Sequence, residues 1–544
     1  MAKIIIILIA LNLISYQYYR RFDLTHDHRY SLSKTSKNIL NKINKPLFIK
    51  VYLTGDFPLD FKRLQSETEQ LLHEYNLLNN HIIYRFVNPL TSKNLAKKLI
   101  SKGFEPSRLT IQEKGEITEK VIFPWAEISY NGKLVKVNLL TQTQNISQNQ
   151  QINKSISKLE YAFTNAFIKI STAKKQNIAI IKGNGELSDL HLYSFLKSLS
   201  GYYNLAPFTL DSVAISPQKT LQELSNFRLA IIAKPTQKFT EAEKYTLDQF
   251  IMQGGKTLWL IDKVQADLDS LKSNNAQMLA YPRDLNLTDL LFSYGVRPTY
   301  GLVEDLYSAK IRLASGSING KPQFQNFNWP YFPLITSKSK TLITKQINPV
   351  QLKFTTAIDT LKNGIKKQVL LQSSLLSKKV GTPRLISLNE INNINDKSFN
   401  NGNQILGVLL SGKFKSAYKG RVKPFNRKFA KSKSNNNAMI VIADGDIAAN
   451  QIYKNRPTDL NQNFLTGEQF GNKTFLLNSV NYLLNDIGIL KLRSKTLKLR
   501  FLDKNKVIKT ATFWQLFNII TPLILLLIFG IGFNFYRKYK YTPS

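Results

Sequence analysis

The chain is 544 residues long, enough for two or three domains with cores of their own. It contains no cysteine, which excludes disulfides, thiol catalysis and cysteine-ligated zinc or iron–sulfur sites. Lys and Arg number 75 against 36 Asp and Glu, a formal charge of +39. A field of that sign favours anionic partners such as lipid headgroups, acidic glycans or nucleic acid, but a plain bias towards Lys, Asn and Ile, visible at 392–403, accounts for it equally well.

In chain order, the first element is an uncharged run between Lys3 and Arg20, about 16 residues, which spans a bilayer if those two cations snorkel to the headgroups. A cleaved signal peptide competes, but Ser15-Tyr16-Gln17-Tyr18-Tyr19 puts bulky rings where a peptidase needs small residues. Residues 1–20 are therefore expected to form an uncleaved transmembrane anchor. His26 and His28 lie two apart, a spacing that suits a metal pair on a strand, yet no third ligand stands near and a solvated turn explains them more simply.

A small α/β domain is expected over 21–145. Ser31 or Ser33 is placed to cap a helix over 34–43. Strand 46–53, amphipathic helix 59–78 and strand 82–87 follow in strand-helix-strand order. A helix at 95–102 and strands at 109–112, 121–125 and 133–139 extend the unit, with Asn131-Gly132 as a hairpin turn. The polar stretch 141–153 reads as a linker, and 156–170 as an amphipathic helix, together a bridge over 146–174.

The larger domain is expected over 175–490. Strand 177–181 ends at Lys182-Gly183-Asn184-Gly185-Glu186, helix 190–199 follows, then strand 229–233, helix 241–252 capped by Thr240, and strand 256–261 ending at Asp262. This alternation implies a parallel, doubly wound sheet whose C-terminal strand ends are the natural place for a ligand. A looser region begins at 274–277. Beyond it come a helix at 285–294 closed by Gly295, strands at 353–358, 369–372, 404–410 and 438–443, and a helix at 473–484. The fourth of these strands ends in Asp444-Gly445-Asp446.

A basic juxtamembrane segment, 491–509, leads into 510–536, which is uncharged over about 27 residues and exceeds the roughly 20 that cross a bilayer. Trp514 and Tyr536 sit where the two headgroup zones would be, and a short basic tail, 537–544, closes the chain. Two spans would hold the body on one side of the membrane. Cations crowd both flanks of the second span, so charge leaves the orientation open.

Several motifs invite chemistry. Gly254-Gly255-Lys256-Thr257 follows a helix and precedes a strand, the reverse of a phosphate loop, so the glycines read as a helix cap and ATP hydrolysis is not expected. Gly183-Asn184-Gly185-Glu186 could hold an anion on backbone amides, or be a turn needing positive φ. Asp262, Asp444 and Asp446 could supply oxygen ligands to magnesium or calcium, although Asp-Gly-Asp after a strand is ordinary turn chemistry. His73, His81 and His191 are scattered, with no nucleophile and acid at recognisable spacing. The stretch 411–434 carries nine Lys or Arg and no acid, interleaved with Phe414, Tyr418, Phe425 and Phe429. It is the best nucleic-acid candidate, against a solvated loop or a membrane-surface contact. A chain anchored at both ends is not expected to take nucleic acid as its partner.

Six segments together resemble the gliding-motility-associated ABC transporter component family, GldG, of the Bacteroidota: RFDLTHDHRYSLS at 21–33, DLNLTDLLFSYGVRPTYGLVEDL at 284–306, NWPYFPL at 328–334, LLSGKFKSAYKGR at 409–421, IADGD at 442–446 and GNKTFLLNSVNYL at 471–483. They span nearly the whole chain in family order. The family is also similar to auxiliary-domain proteins of uncharacterised ABC transport systems, whose α/β domain resembles class I glutamine amidotransferases without their nucleophile. The resemblance implies a non-catalytic, membrane-anchored auxiliary or substrate-binding-like subunit in the bacterial inner (cytoplasmic) membrane, with a periplasmic body. It implies as partners an ABC permease and ATPase, the lipid bilayer, and gliding or secretion machinery. It brings no catalytic, cofactor-binding or metal residues. The alternative kept open is a membrane-tethered hydrolase or glycan-binding protein using Glu186, Asp262, Asp444 or Asp446.

Overall fold

The computed structural model describes residues 31–113, 116–141, 147–171, 176–273, 275–337, 341–426, 430–485, 488, 490 and 504–541. The expected first anchor at 1–20, with His26 and His28, lies outside the described residues, as does most of the basic segment before the second span. The described residues form two units, a folded body and a separate C-terminal helix.

The first domain begins with α1 (Lys34–Leu40), capped by the Ser33 hydroxyl, which accepts from the amide of Ser36. β1 (Leu47–Val51) and β2 (Ile82–Phe86) pair in parallel across α2 (Leu59–Leu78). After α3 (Lys93–Ser101) come two hairpins, β3 (Ser107–Glu113) with β4 (Glu116–Ile122) and β5 (Trp125–Tyr130) with β6 (Lys133–Asn138). The turn of the second takes positive φ at Asn131 and Gly132, as a two-residue hairpin requires. The single strand expected at 121–125 is divided, because Pro124 has no amide to donate and breaks the ladder between β4 and β5. The sheet order is β2-β1-β5-β6.

α4 (Gln148–Ser171) sets Ile152, Ile156, Leu159, Phe163, Phe167 and Ile170 on one face, at spacings of three or four, and that face is part of the first domain's core. The same helix also touches the second domain. The Tyr202 hydroxyl donates to Asn165 Oδ1, and Lys169 Nζ lies 5.0 Å above the Tyr202 ring.

The second domain opens with β7 (Asn177–Lys182), α5 (Asp189–Ser200), β8 (Asn204–Thr209), α6 (Pro217–Leu224), β9 (Leu229–Ala233), α7 (Glu241–Met252) and β10 (Lys256–Leu260). A β-rich insertion follows: β11 (Val264–Gln265), β12 (Gln277–Pro282), α8 (Thr288–Tyr294), β13 (Val296–Asp305), β14 (Ser308–Ile318), β15 (Lys321–Ile335), β16 (Val350–Gln351) and β17 (Thr356–Thr360). Then come β18 (Lys366–Gln372), β19 (Ser377–Val380), β20 (Arg384–Ser387), β21 (Ile405–Lys415), β22 (Lys433–Ile442) and α9 (Asn472–Leu483).

The main sheet has the order β18-β21-β22-β10-β9-β7-β8. The five strands β8, β7, β9, β10 and β22 are parallel. β21 runs antiparallel to β22, and β18 antiparallel to β21, so that only β21 is reversed and the sheet is mixed rather than wholly parallel. The reason is local: β21 and β22 are consecutive and joined by a hairpin, which only antiparallel strands allow.

Alternate residues of the parallel strands point to opposite faces, and both faces are buried. Ile178, Ile231, Leu258 and Ile440 pack under α5 and α9; Ala179, Ile232, Trp259 and Val441 pack under α6, α7 and α8. The insertion has a core of its own around Trp329, Tyr331, Phe332 and Phe354.

The second unit is α10 (Lys504–Tyr541), with Pro522 inside it. Its segment Thr510–Tyr541, 32 residues with no share buried, is long and apolar enough to cross a membrane. The span expected at 510–536 falls within it.

Candidate functional site

Three adjacent parallel strands, β9, β10 and β22, deliver Lys234, Asp262 and the Asp444-Gly445-Asp446 turn to one place at their C-terminal ends. Lys234 Nζ lies 2.6 Å from Asp446 Oδ2 and 3.7 Å from Asp262 Oδ2. Asp262 Oδ1 accepts the amide of Gly445. Asp444 is fully buried and uses both oxygens, accepting from the amides of Lys353 and Asp446 at 2.7 Å each. Gly445 is required by close approach, since a Cβ there would lie 2.6 Å from Lys234 Cγ and 2.9 Å from its Cα.

Burial dominates the electrostatics. It pushes the Asp444 carboxyl well above the usual range, helped by the neighbouring Asp262 and Asp446 charges. Burial, then Asp446, lifts Asp262 to about 6. For Lys234 burial pulls the ammonium down, but Asp446 and then Asp262 outweigh it and leave it raised. The cavity bordering Asp446 measures about 20 Å³, room for about one water. As arranged, these carboxylates hold three loops together.

Between β7 and β9 the strand order reverses, the point where open α/β sheets bind ligands. Here backbone bridges that crevice. The Asn184 carbonyl accepts the amides of Thr236 and Gln237 at 2.9 Å, and Leu187 donates to the Ala233 carbonyl at 3.0 Å. Gly185 has φ +75° and a Cβ there would lie 2.0 Å from Thr236 Oγ1, so a glycine is needed on both counts. Glu186 belongs to this loop, where it accepts the Asn184 amide at 2.8 Å, and burial raises its carboxyl.

The other sequence candidates separate. Gly254 has φ +101° and the Gly255 amide returns to the Phe250 carbonyl, closing α7 before β10 begins. His73, His81 and His191 are exposed on different elements. Among the described residues no group of three His, Asp or Glu side chains could hold a metal ion.

The basic stretch 411–434 is the β21–β22 hairpin and its loop. Phe414 and Tyr418 are buried, and Tyr418 and Phe425 each meet the Tyr245 ring edge-on at 4.9 Å. These rings fill the core and do not face outward to stack on bases. Phe429 lies outside the described residues. Asp248, which sequence reading passed over, fastens the loop: it accepts from the Tyr294 hydroxyl at 2.8 Å, the Ser416 hydroxyl at 2.7 Å and the Ala417 amide at 2.9 Å. The signal was an aspartate in the middle of the apolar run TLDQFIM.

A doubly wound α/β domain, in a chain whose described residues include a helix of membrane-spanning length, is the class that fold and site define. Residues 175–479, more than half of the 544, match the family described as an ABC-type uncharacterized transport system, and the chain belongs to that family. Residues 26–129 match a domain of unknown function, DUF7088. An uncharacterized protein of Borreliella burgdorferi is 22% identical over 533 residues, covering 96% of this chain and 94% of that one. Among solved structures, the mmIFT52 N-terminal domain aligns over 60% of this chain and 100% of its own, at 13% identity and a TM-score of 0.29, too low to relate the folds.

Proposed function

We propose that the chain is a non-catalytic, membrane-anchored auxiliary subunit of an ABC transporter. Family membership over 175–479 supports the transporter assignment, and α10 supports the tether. The observation that carries the non-catalytic part is the engagement of Asp262 and Asp444 by backbone amides and of Asp446 by Lys234, beside a cavity of about 20 Å³. The domain is read as a relative of class I glutamine amidotransferases that lacks their nucleophile.

In the finer reading, residues 1–20 form a second anchor, the membrane is the inner (cytoplasmic) one, the body is periplasmic, and the system serves gliding motility with a permease and an ATPase as partners. The segments quoted above, from 21–33 to 471–483, support it. The test is affinity purification of the tagged full-length chain from gently solubilised membranes. Recovery of an ABC permease and ATPase in stable proportion is expected; recovery of neither removes the transporter reading. Loss of surface spreading in a deletion strain tests the gliding part separately, and protease protection in spheroplasts tests the orientation.

A further inference from the structure

A cleft of about 520 Å³ lies between α4, α5 and the start of α9, away from the strand-end aspartates. Each helix contributes one lysine to its lining, Lys169 from α4, Lys197 from α5 and Lys473 from α9, against a single acid, Asp459. These cations are open to solvent. Lys197 is exposed, Lys169 partly so, and the Lys473 side chain is 27% exposed. Tyr161 and Tyr193 also line the cleft, and Tyr193 is 45% exposed.

The charges do not balance. Asp459 pairs with Lys473. Among the described residues neither Lys169 nor Lys197 meets a carboxylate; each lies over a ring, Lys169 Nζ 5.0 Å from the Tyr202 centroid and Lys197 Nζ 5.2 Å from that of Tyr193. A ring face attracts a cation through its quadrupole and leaves the charge uncancelled. Burial, and after it the charge of Lys473, pulls the Lys169 ammonium below its ordinary value, so an anion seated beside these lysines would relieve both effects.

The lining also narrows the anion. Its cations are all lysines, point charges with rotatable donors, and no arginine is among the described residues of the cleft. Arginine's planar fork matches a carboxylate, whereas a tetrahedral phosphate can be met by ammonium groups from several sides. α9 starts behind Gly471, which offers no capping side chain, so the positive end of that helix's dipole adds to Lys473. The volume falls within the range of small-molecule sites.

We propose that this cleft binds a small phosphorylated molecule, its phosphate held by Lys169, Lys197 and Lys473 and its organic part lying against Tyr193. The inference stands independently of the transporter reading, because three helices of this chain alone build the cleft.

The test is isothermal titration calorimetry on the full-length chain in a nonionic detergent. The probes are glycerol 3-phosphate, glucose 6-phosphate and AMP, with glycerol, glucose and adenosine as phosphate-free counterparts. Inorganic phosphate, citrate and dihexanoyl phosphatidylglycerol stand for the bare ion, a polycarboxylate and a lipid headgroup. Saturable binding of at least one phosphate monoester is expected, with none by its phosphate-free counterpart. Lys169→Gln should weaken it about 10-fold and Lys197→Gln about 3-fold. Lys219→Gln, which removes an exposed charge from α6 outside the cleft, should leave it unchanged. If Lys169→Gln does not fold, Lys197→Gln decides alone, since its side chain is exposed. The proposal is overturned if no monoester saturates, if Lys219→Gln weakens binding as much as the cleft variants, if inorganic phosphate binds as tightly as every monoester, or if citrate or the phospholipid binds more tightly than all of them.

Discussion

Lys234 reaches from the end of β9 past the end of β10 to Asp446 after β22, with 2.6 Å between its ammonium nitrogen and the carboxylate oxygen. Both side chains are largely buried, so removing one leaves the other charge stranded. Lys234→Met is expected to destabilise the larger domain by about 3 kcal/mol. Thermal and denaturant unfolding of the full-length protein measure it. An unchanged transition would mean the pair is structurally idle.

Asp262 makes a pH prediction whose sign follows from its raised carboxyl, about 6 against the ordinary 3.8. The folded state then binds a proton before the unfolded state does. Acidification through that window favours folding, and the contribution is lost as pH rises through about 6. Asp444, raised for the same reason, acts in the same direction. Asp262→Asn keeps an acceptor for the Gly445 amide and removes the titration. The difference in melting temperature between parent and variant should therefore change between about pH 4 and pH 6 and level off above it. A pH-independent difference would contradict the assignment.

At Gly445 the prediction is steric. Gly445→Ala would press a methyl into Lys234, and a loss of about 1–3 kcal/mol is expected. Gly381, where an added Cβ meets nothing within 4 Å, is the control. Gly381→Ala should stay within about 0.5 kcal/mol of the parent by the same unfolding measurement.

Asp248 anchors the basic loop to α7. Asp248→Ala leaves the Tyr294 and Ser416 hydroxyls and the Ala417 amide without their acceptor, a loss of about 3 kcal/mol or more. The loop should then open before the rest of the domain. Limited trypsin digestion is expected to cut first at Lys419, Arg421 or Lys423 in the variant and not in the parent. Equal cleavage in both would show that Asp248 does not hold the loop.

How far the chain was legible followed its periodicity. α2, β9 and α7 lie where pattern reading places them, and Thr240 caps α7 with Glu243 completing a capping box, because turn chemistry and apolar spacing agree there. β8 was missed because Pro207 argues against a strand, which the sheet tolerates only because β8 lies at its edge. β14 and β15 were missed for a related reason. Much of the hairpin is exposed, so it lacks apolar alternation, and β15 contains Pro322, Pro330 and Pro333. At the strand ends the aspartates were visible as turn residues. Lys234 was not, since its partners are 28 and 212 residues away and only the parallel register brings them together.

α4 has a mechanical consequence. One face of this long helix is welded into the first core, while Asn165 and Lys169 grip Tyr202 of the second domain. The helix is thus a member common to both lobes, and a load placed on the first has a covalent and polar route through it, by way of Asn165, Lys169 and Tyr202, to the second.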